Sequence, residues 1–296
     1  MEHNMPNFIT CPVRKLLRKK PVSVSIGRRP QQRRKCGLDG LWFTVLICFL
    51  AGAGAGLGTG FAGMSAATVI SPMLVTFLDV PAYDAIGIAL GSDVLASAVS
   101  ARTYAKSGAI DIKNGLVMMC GVLVMTTVGS WLSTMVPNST LGNFSVIMTL
   151  ILGLRFLILP VTSPSRTIQG GSRAIQIIKG AVGGACIGLI CGFFGAGGGM
   201  MMLMVLTVVL GYELKTAVGT SVFVMTFSAL TGTVSHFALA SHMPRLDLLA
   251  MCVVFTLLWA QIAAKIATRA DARLLNRLTG VILTVLGIIL IVISFW

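Results

Sequence analysis

Charge is what this sequence of 296 residues has least of: Asp, Glu, Lys and Arg make up 11%, against 55% hydrophobic residues and a mean hydropathy of +0.90. A soluble globular domain carries about a quarter charged residues, so that class is excluded. Disorder is excluded as well, because it needs low hydrophobicity and high charge. The seven cysteines (11, 36, 48, 120, 186, 191 and 252) show neither disulfide nor metal-ligand spacing. Most lie in apolar runs and read as small buried hydrophobes. With only three histidines besides, no metal and no cofactor is expected. An apolar stretch near the first residue, the mark of a secretory signal, is also lacking, since the first long apolar run begins at Leu41.

What charge there is lies unevenly. Lys and Arg number 23 against 9 Asp and Glu, and Arg14, Lys15, Arg18, Lys19, Lys20, Arg28, Arg29, Arg33, Arg34 and Lys35 all precede position 41. Residues 1–40 read as a basic tail. A transit peptide, a polybasic segment on an anionic leaflet and a cytoplasmic tail all fit that composition, and no nucleic-acid partner is expected.

From Leu41 onward apolar runs follow one another at 41–61, 85–104, 115–136, 142–159, 175–194, 217–240, 247–268 and 277–295, with shorter ones at 64–78 and 199–211. A helix needs about 20 residues to cross a bilayer. The expected fold is an all-α polytopic membrane protein with 8–10 membrane segments, two of them short and glycine-initiated. The lipid bilayer is the first partner, and a homo-oligomer stays open.

The chain also repeats. Residues 56–89 slide onto 188–221 without a gap, at an offset of 132, with identities that include Gly60/Gly192, Phe61/Phe193, Gly63/Gly195, Leu74/Leu206 and Gly87/Gly219. Two homologous halves are the economical reading, 41–159 and 180–296, joined by a basic linker at 160–179. Basic loops at 101–113, 160–179 and 265–277 read as cytoplasmic. Five full spans per half with inverted halves reconcile these loops but put the basic tail outside; re-entrant short runs put the tail inside but displace the 265–277 loop. Inversion is the preferred expectation, as in many transporters.

Glycine clusters precede both short runs, at Gly58-Thr59-Gly60-Phe61-Ala62-Gly63 and Gly192-Phe193-Phe194-Gly195-Ala196-Gly197-Gly198-Gly199. A helix break in the membrane exposes N–H groups at the positive end of the following helix, and such an end attracts an anion. Glycines that merely let helices pack closely are the bland alternative. The expected site for a small anion comprises Thr59, Gly60, Gly63, Met64, Ser65 and Ala66 from the first break, Gly195, Gly197, Gly198 and Gly199 from the second, and Thr220 and Ser221 beyond it. Neutral donors suit a carrier that must also release its load.

Polar residues inside spans are costly and usually face a pathway. Asp93, Ser97, Ser100 and Tyr104 share one helical face, and Asp93 is the carboxylate placed well inside a long run. Asp93 and His236 are the candidates for proton coupling, although a lone His is more often a satisfied packing residue. No catalytic residue is expected. Gly63-Met64-Ser65-Ala66 lacks the last glycine of the Gly-x-Ser-Gly of intramembrane serine proteases, and a channel would show a filter repeated by symmetry.

Gly197-Gly198-Gly199 opening a short apolar helix, Pro72-Met73-Leu74, Ala217-Val218-Gly219-Thr220-Ser221, Tyr104 with Gly108-Ala109-Ile110-Asp111, and the basic stretch Lys265 to Arg277 resemble, in this order and over about residues 45–295, the sulfite exporter TauE/SafE family. The sequence departs from that pattern at Met64-Ser65-Ala66-Ala67, Met204 and Trp259-Ala260-Gln261. The resemblance implies a secondary transporter of sulfite, an organosulfonate or a related anion, coupled to an ion gradient, with an anion channel or a membrane-embedded enzyme as the alternatives.

Overall fold

The computed structural model describes residues 38–158, 173–195, 198–240, 245–270 and 272–295. Residues 1–37 of the basic tail, residue 159, residues 160–172 of the linker and Gly197 lie outside the described residues.

The described chain is helical: α1 (Leu38–Ala62), α2 (Ala67–Leu78), α3 (Ala82–Lys106), α4 (Ile112–Ser133), α5 (Asn138–Ile158), α6 (Arg173–Phe194), α7 (Gly198–Met204, prolonged by a π-helical turn over Val205–Val209), α8 (Leu214–Leu239), α9 (Leu246–Ala267) and α10 (Ala272–Phe295). Six of these, α1, α3, α4, α6, α8 and α9, are long and apolar enough to cross a membrane, while α2 and residues 280–293 of α10 form shorter apolar helices. The protein is a multi-pass integral membrane protein. Its outer surface is apolar, as lipid requires, with Trp42, Val124, Val234 and Val292 among the exposed side chains.

Glycine decides which helices meet. On α1, Gly52, Gly56 and Gly60 form a stripe at four-residue spacing, and a Cβ at Gly56 would lie 2.7 Å from the Ala260 nitrogen of α9. On α6, Gly184, Gly188 and Gly192 form a second stripe against Met118, Val122 and Thr126 of α4, so close that a Cβ would collide with their carbonyl oxygens. Small residues at this spacing let helix backbones approach where lipid offers no hydrophobic drive. Position numbers rise together along both pairs, so α1 runs parallel to α9, and α6 to α4. At the centre α3 and α8 cross antiparallel, with Gly87 beside His236, Leu90 beside Gly232 and Tyr104 beside Gly219. Gly153 and Gly287 likewise bring α5 and α10 together antiparallel.

Helix directions follow. α1, α3 and α9 run one way and α4, α6 and α8 the other, so α1 and α6, the helices that lead into the two glycine clusters, point in opposite senses. The α3–α4 and α9–α10 connections, with Lys106, Lys113, Lys265 and Arg269, fall on one face. The first described residue of α1 falls on the opposite face.

Candidate functional site

Each break forms where a helix ends on a residue in the left-handed region. Gly63 (φ +62°) donates its N–H to Thr59 O at 3.1 Å, and Gly195 (φ +67°) donates to Cys191 O at 2.8 Å. Glycine adopts this conformation without penalty, whereas a Cβ strains it. Position 63 plus 132 is 195, and the correspondence extends to the far ends of the short helices, where Asp79 (φ +52°) and Gly211 (φ +72°) turn the chain again. The first break and the start of the second short helix come together inside the bundle. There the breaks touch: a Cβ on Gly199 would collide with Gly63 O and the Met225 sulfur and come within 2.9 Å of Ser65 N.

The start of α2 faces the centre of α3. Asp93, with 1% of its surface exposed, accepts from Ser65 Oγ at 2.8 Å through Oδ2 and also from the Ala66 N–H. Ser65 Oγ itself accepts from Ala67 N at 3.3 Å, and Ser97 Oγ donates to Asp93 O. The other carboxylate oxygen, Oδ1, is buried without a partner among the described residues. No described cation pairs with it. A buried carboxylate holding the first donors of a helix is an arrangement that sequence spacing cannot reveal, because Ser65 and Asp93 lie 28 residues apart.

The remaining expected residues divide. Thr59 Oγ1 donates to Ala55 O and Ser221 Oγ to Val218 O, so both hydroxyls serve their own helices, although Ser221 also lies 3.5 Å from Gly63 O. Gly60 faces Ala263 and Ala264 of α9, and its carbonyl accepts from Tyr104 Oη at 3.0 Å. Met64 N donates to Gly58 O. Gly198 packs on Cys191, whose sulfur accepts from Ser228 Oγ at 3.8 Å. Thr220 Oγ1 accepts from Asp111 N at 3.0 Å, which ties the start of α8 to the α3–α4 turn.

His236 sits apart from Asp93. Its α3 neighbour is Gly87, six residues from Asp93, which is about 9 Å along a helix. Nδ1 pairs with Gly232 O at 3.1 Å, the ring stacks on Tyr83 at 4.7 Å, and Nε2 is buried without a partner among the described residues. Tyr83 in turn lines a cavity of about 190 Å³ with Pro81, Asp84, Ser133, Asn138 and Leu239. Nothing in the sequence pattern singles out Tyr83.

The opposite end is closed by a polar cluster. Asp111 caps α4 through Asn114 N and accepts from Tyr212 Oη at 2.6 Å and Asn114 Nδ2 at 2.8 Å. Partial burial pushes the Asp111 carboxyl up, but the hydrogen bonds from Tyr212 and Asn114 outweigh it and hold the group below its ordinary value. The Tyr212 hydroxyl is raised by burial and by the bond to Asp111 and its charge. No described trio of His, Cys, Asp or Glu gathers as a metal site would require.

The profile of the family described as sulfite exporter TauE/SafE matches residues 48–290, which covers all ten helices at least in part. The chain is also similar to "Probable membrane transporter protein YunE" of Bacillus subtilis (strain 168), at 28% identity over 70% of this chain and 80% of that one. "Probable membrane transporter protein YdhB" of the same organism is 22% identical over 65% of this chain and 77% of its own. No solved structure matches significantly. The glycine breaks, the short helices and the polar face of α3 thus lie within a match spanning most of the sequence, and the chain belongs to the sulfite exporter TauE/SafE family.

Proposed function

We propose that this membrane transport protein is a secondary carrier of a small anion, sulfite or an organosulfonate, driven by an ion gradient. The observation that carries the reading is the meeting of the two breaks beside the start of α2, where donors at Ser65 and Ala66 converge on one buried carboxylate. A helix start in a medium of low dielectric favours negative charge. Substrate would lie between Gly63, Ser65 and Gly199, with Gly198, Gly195, Thr220 and Ser221 shaping the surround. The paired positive φ angles at an offset of 132, and the opposed directions of α1 and α6, support two inverted homologous halves. That symmetry fits a carrier whose two states are exchanged by the halves. By the positive-inside rule the face bearing Lys106, Lys113, Lys265 and Arg269 is cytoplasmic.

Asp93 is the proton-coupling group in this reading and His236 is not, because Asp93 touches the break and His236 does not. Uptake of labelled sulfite or methanesulfonate into proteoliposomes tests the proposal. Saturable accumulation that follows an imposed pH gradient is expected. Flux that neither saturates nor responds to the gradient would refute a coupled carrier.

A further inference from the structure

We propose that Asp93 is a resident stand-in for the transported anion: its ionised carboxylate and the substrate compete for the same donors at the start of α2, so the site takes up an anion only when Asp93 takes up a proton. This rests on the anion-carrier reading and adds what the proton does there. Three observations carry it. Ser65 Oγ and the Ala66 N–H, the donors an entering anion would use, both point at Asp93. The Met64 and Ala67 N–H groups are committed to Gly58 O and Ser65 Oγ. Asp93 Oδ1 is buried with no partner among the described residues, which leaves one oxygen placed to receive a proton.

The exchange conserves charge. A proton from the aqueous phase adds to Oδ1, the carboxylate becomes a neutral acid, and Ser65 and Ala66 are released to the substrate. The site holds one negative charge before and after. The described groups near Asp93 offer no rival counter-charge: Ser65 and Ala66 precede α2, Cys191 of α6 carries Ser228 of α8 on its sulfur, and Leu249 of α9 reaches α3 at Gly91. Of these only Cys191 bears an ionisable group, and a thiol carries no positive charge. Position 225, at the repeat offset from 93, is Met. The second break therefore has no such stand-in, and the expected ratio is one proton per anion.

The test is calorimetric titration of the purified full-length protein with methanesulfonate, whose charge is constant across neutral pH, in buffers of different ionisation enthalpy. Wild type should take up one proton per anion bound, with affinity falling about tenfold per pH unit on the alkaline side. Asp93→Asn should bind with no proton uptake and no pH dependence. Ser65→Ala should bind about tenfold more weakly with proton uptake retained. Binding by wild type without proton uptake overturns the inference, and so does loss of binding in a folded Asp93→Asn. If Asp93→Asn does not fold, the wild-type proton count decides alone. Binding of neither methanesulfonate nor sulfite by any variant would overturn the carrier reading with it, a failure set apart because Asp93→Asn then binds nothing either.

Discussion

The break after α1 and the break after α6 turn the chain alike but are furnished differently. Both close on a glycine of positive φ bonded four residues back, and both lead to a short helix that ends on a left-handed residue. The first is polar: Ser65 and Asp93 fill it, and Thr59 precedes it. The second offers Gly198 and Gly199 with Cys191 and Met225 where the first has Ala66, Ala67, Thr59 and Asp93. Backbone geometry is thus alike at the two breaks while the side chains differ, so one is polar and the other small.

The sharpest way to break that contrast is at Gly199. A methyl group there meets backbone and the Met225 sulfur, so Gly199→Ala should lower uptake by roughly a hundredfold in inserted protein, by misplacing the two breaks. Gly198→Ala meets only the Cys191 side chain at 2.9 Å and should cost less, while Gly198→Leu should abolish uptake with insertion intact. Gly60→Leu should fail differently, lowering the yield of folded protein, because its neighbours are the α9 backbone. Near-normal uptake by Gly199→Ala would remove the second break from the site.

Next in size is Asp93→Asn. Gradient-driven accumulation should be lost, while exchange of labelled for unlabelled anion survives. Measured in the same proteoliposomes, a parallel fall of both modes would mark Asp93 as structural, and His236→Gln should leave both unchanged. Smaller effects belong to the glycine stripes. Gly56→Ala and Gly188→Ala should each destabilise by about 1–3 kcal/mol through overpacking, and similar losses in melting temperature would equate the two helix pairs.

The smallest effect concerns Asp111. A carboxyl held below its ordinary value stabilises the fold above about pH 4 and loses that contribution as pH falls through the folded value. Tyr212→Phe removes one of its bonds and should cost about 1 kcal/mol at neutral pH, with the difference from wild type shrinking in acid. Melting curves across pH check the sign, and a difference that grows in acid would contradict it.

Much of this was legible in the sequence, for physical reasons. Lipid forces apolar runs and penalises charge, so the helices and the depth of Asp93 stand out without alignment. Glycine stands at both 63 and 195 because the backbone angle there demands it. What stayed hidden depends on contacts across the chain. Four-residue spacing marks a packing stripe on α1 but does not say that α9 covers it, which is why Gly60 reads as a site residue and turns out to face Ala263. Hydroxyls at Thr59 and Ser221 look available in sequence, yet helices consume them locally. The Ser65–Asp93 and Asp111–Tyr212 bonds join residues 28 and 101 positions apart, with no periodicity to betray them.

The glycine stripe of α1 has a consequence for how the protein is made. Its covering helix, α9, begins at Leu246, so the first described helix meets its partner only near the end of the described chain. For most of translation the stripe faces lipid or a temporary neighbour, and the nascent chain holds an inserted but unassembled first segment until α9 arrives. Termination before α9 would leave α4 on α6 and α3 on α8 able to pack, but α1 inserted with its glycine stripe uncovered.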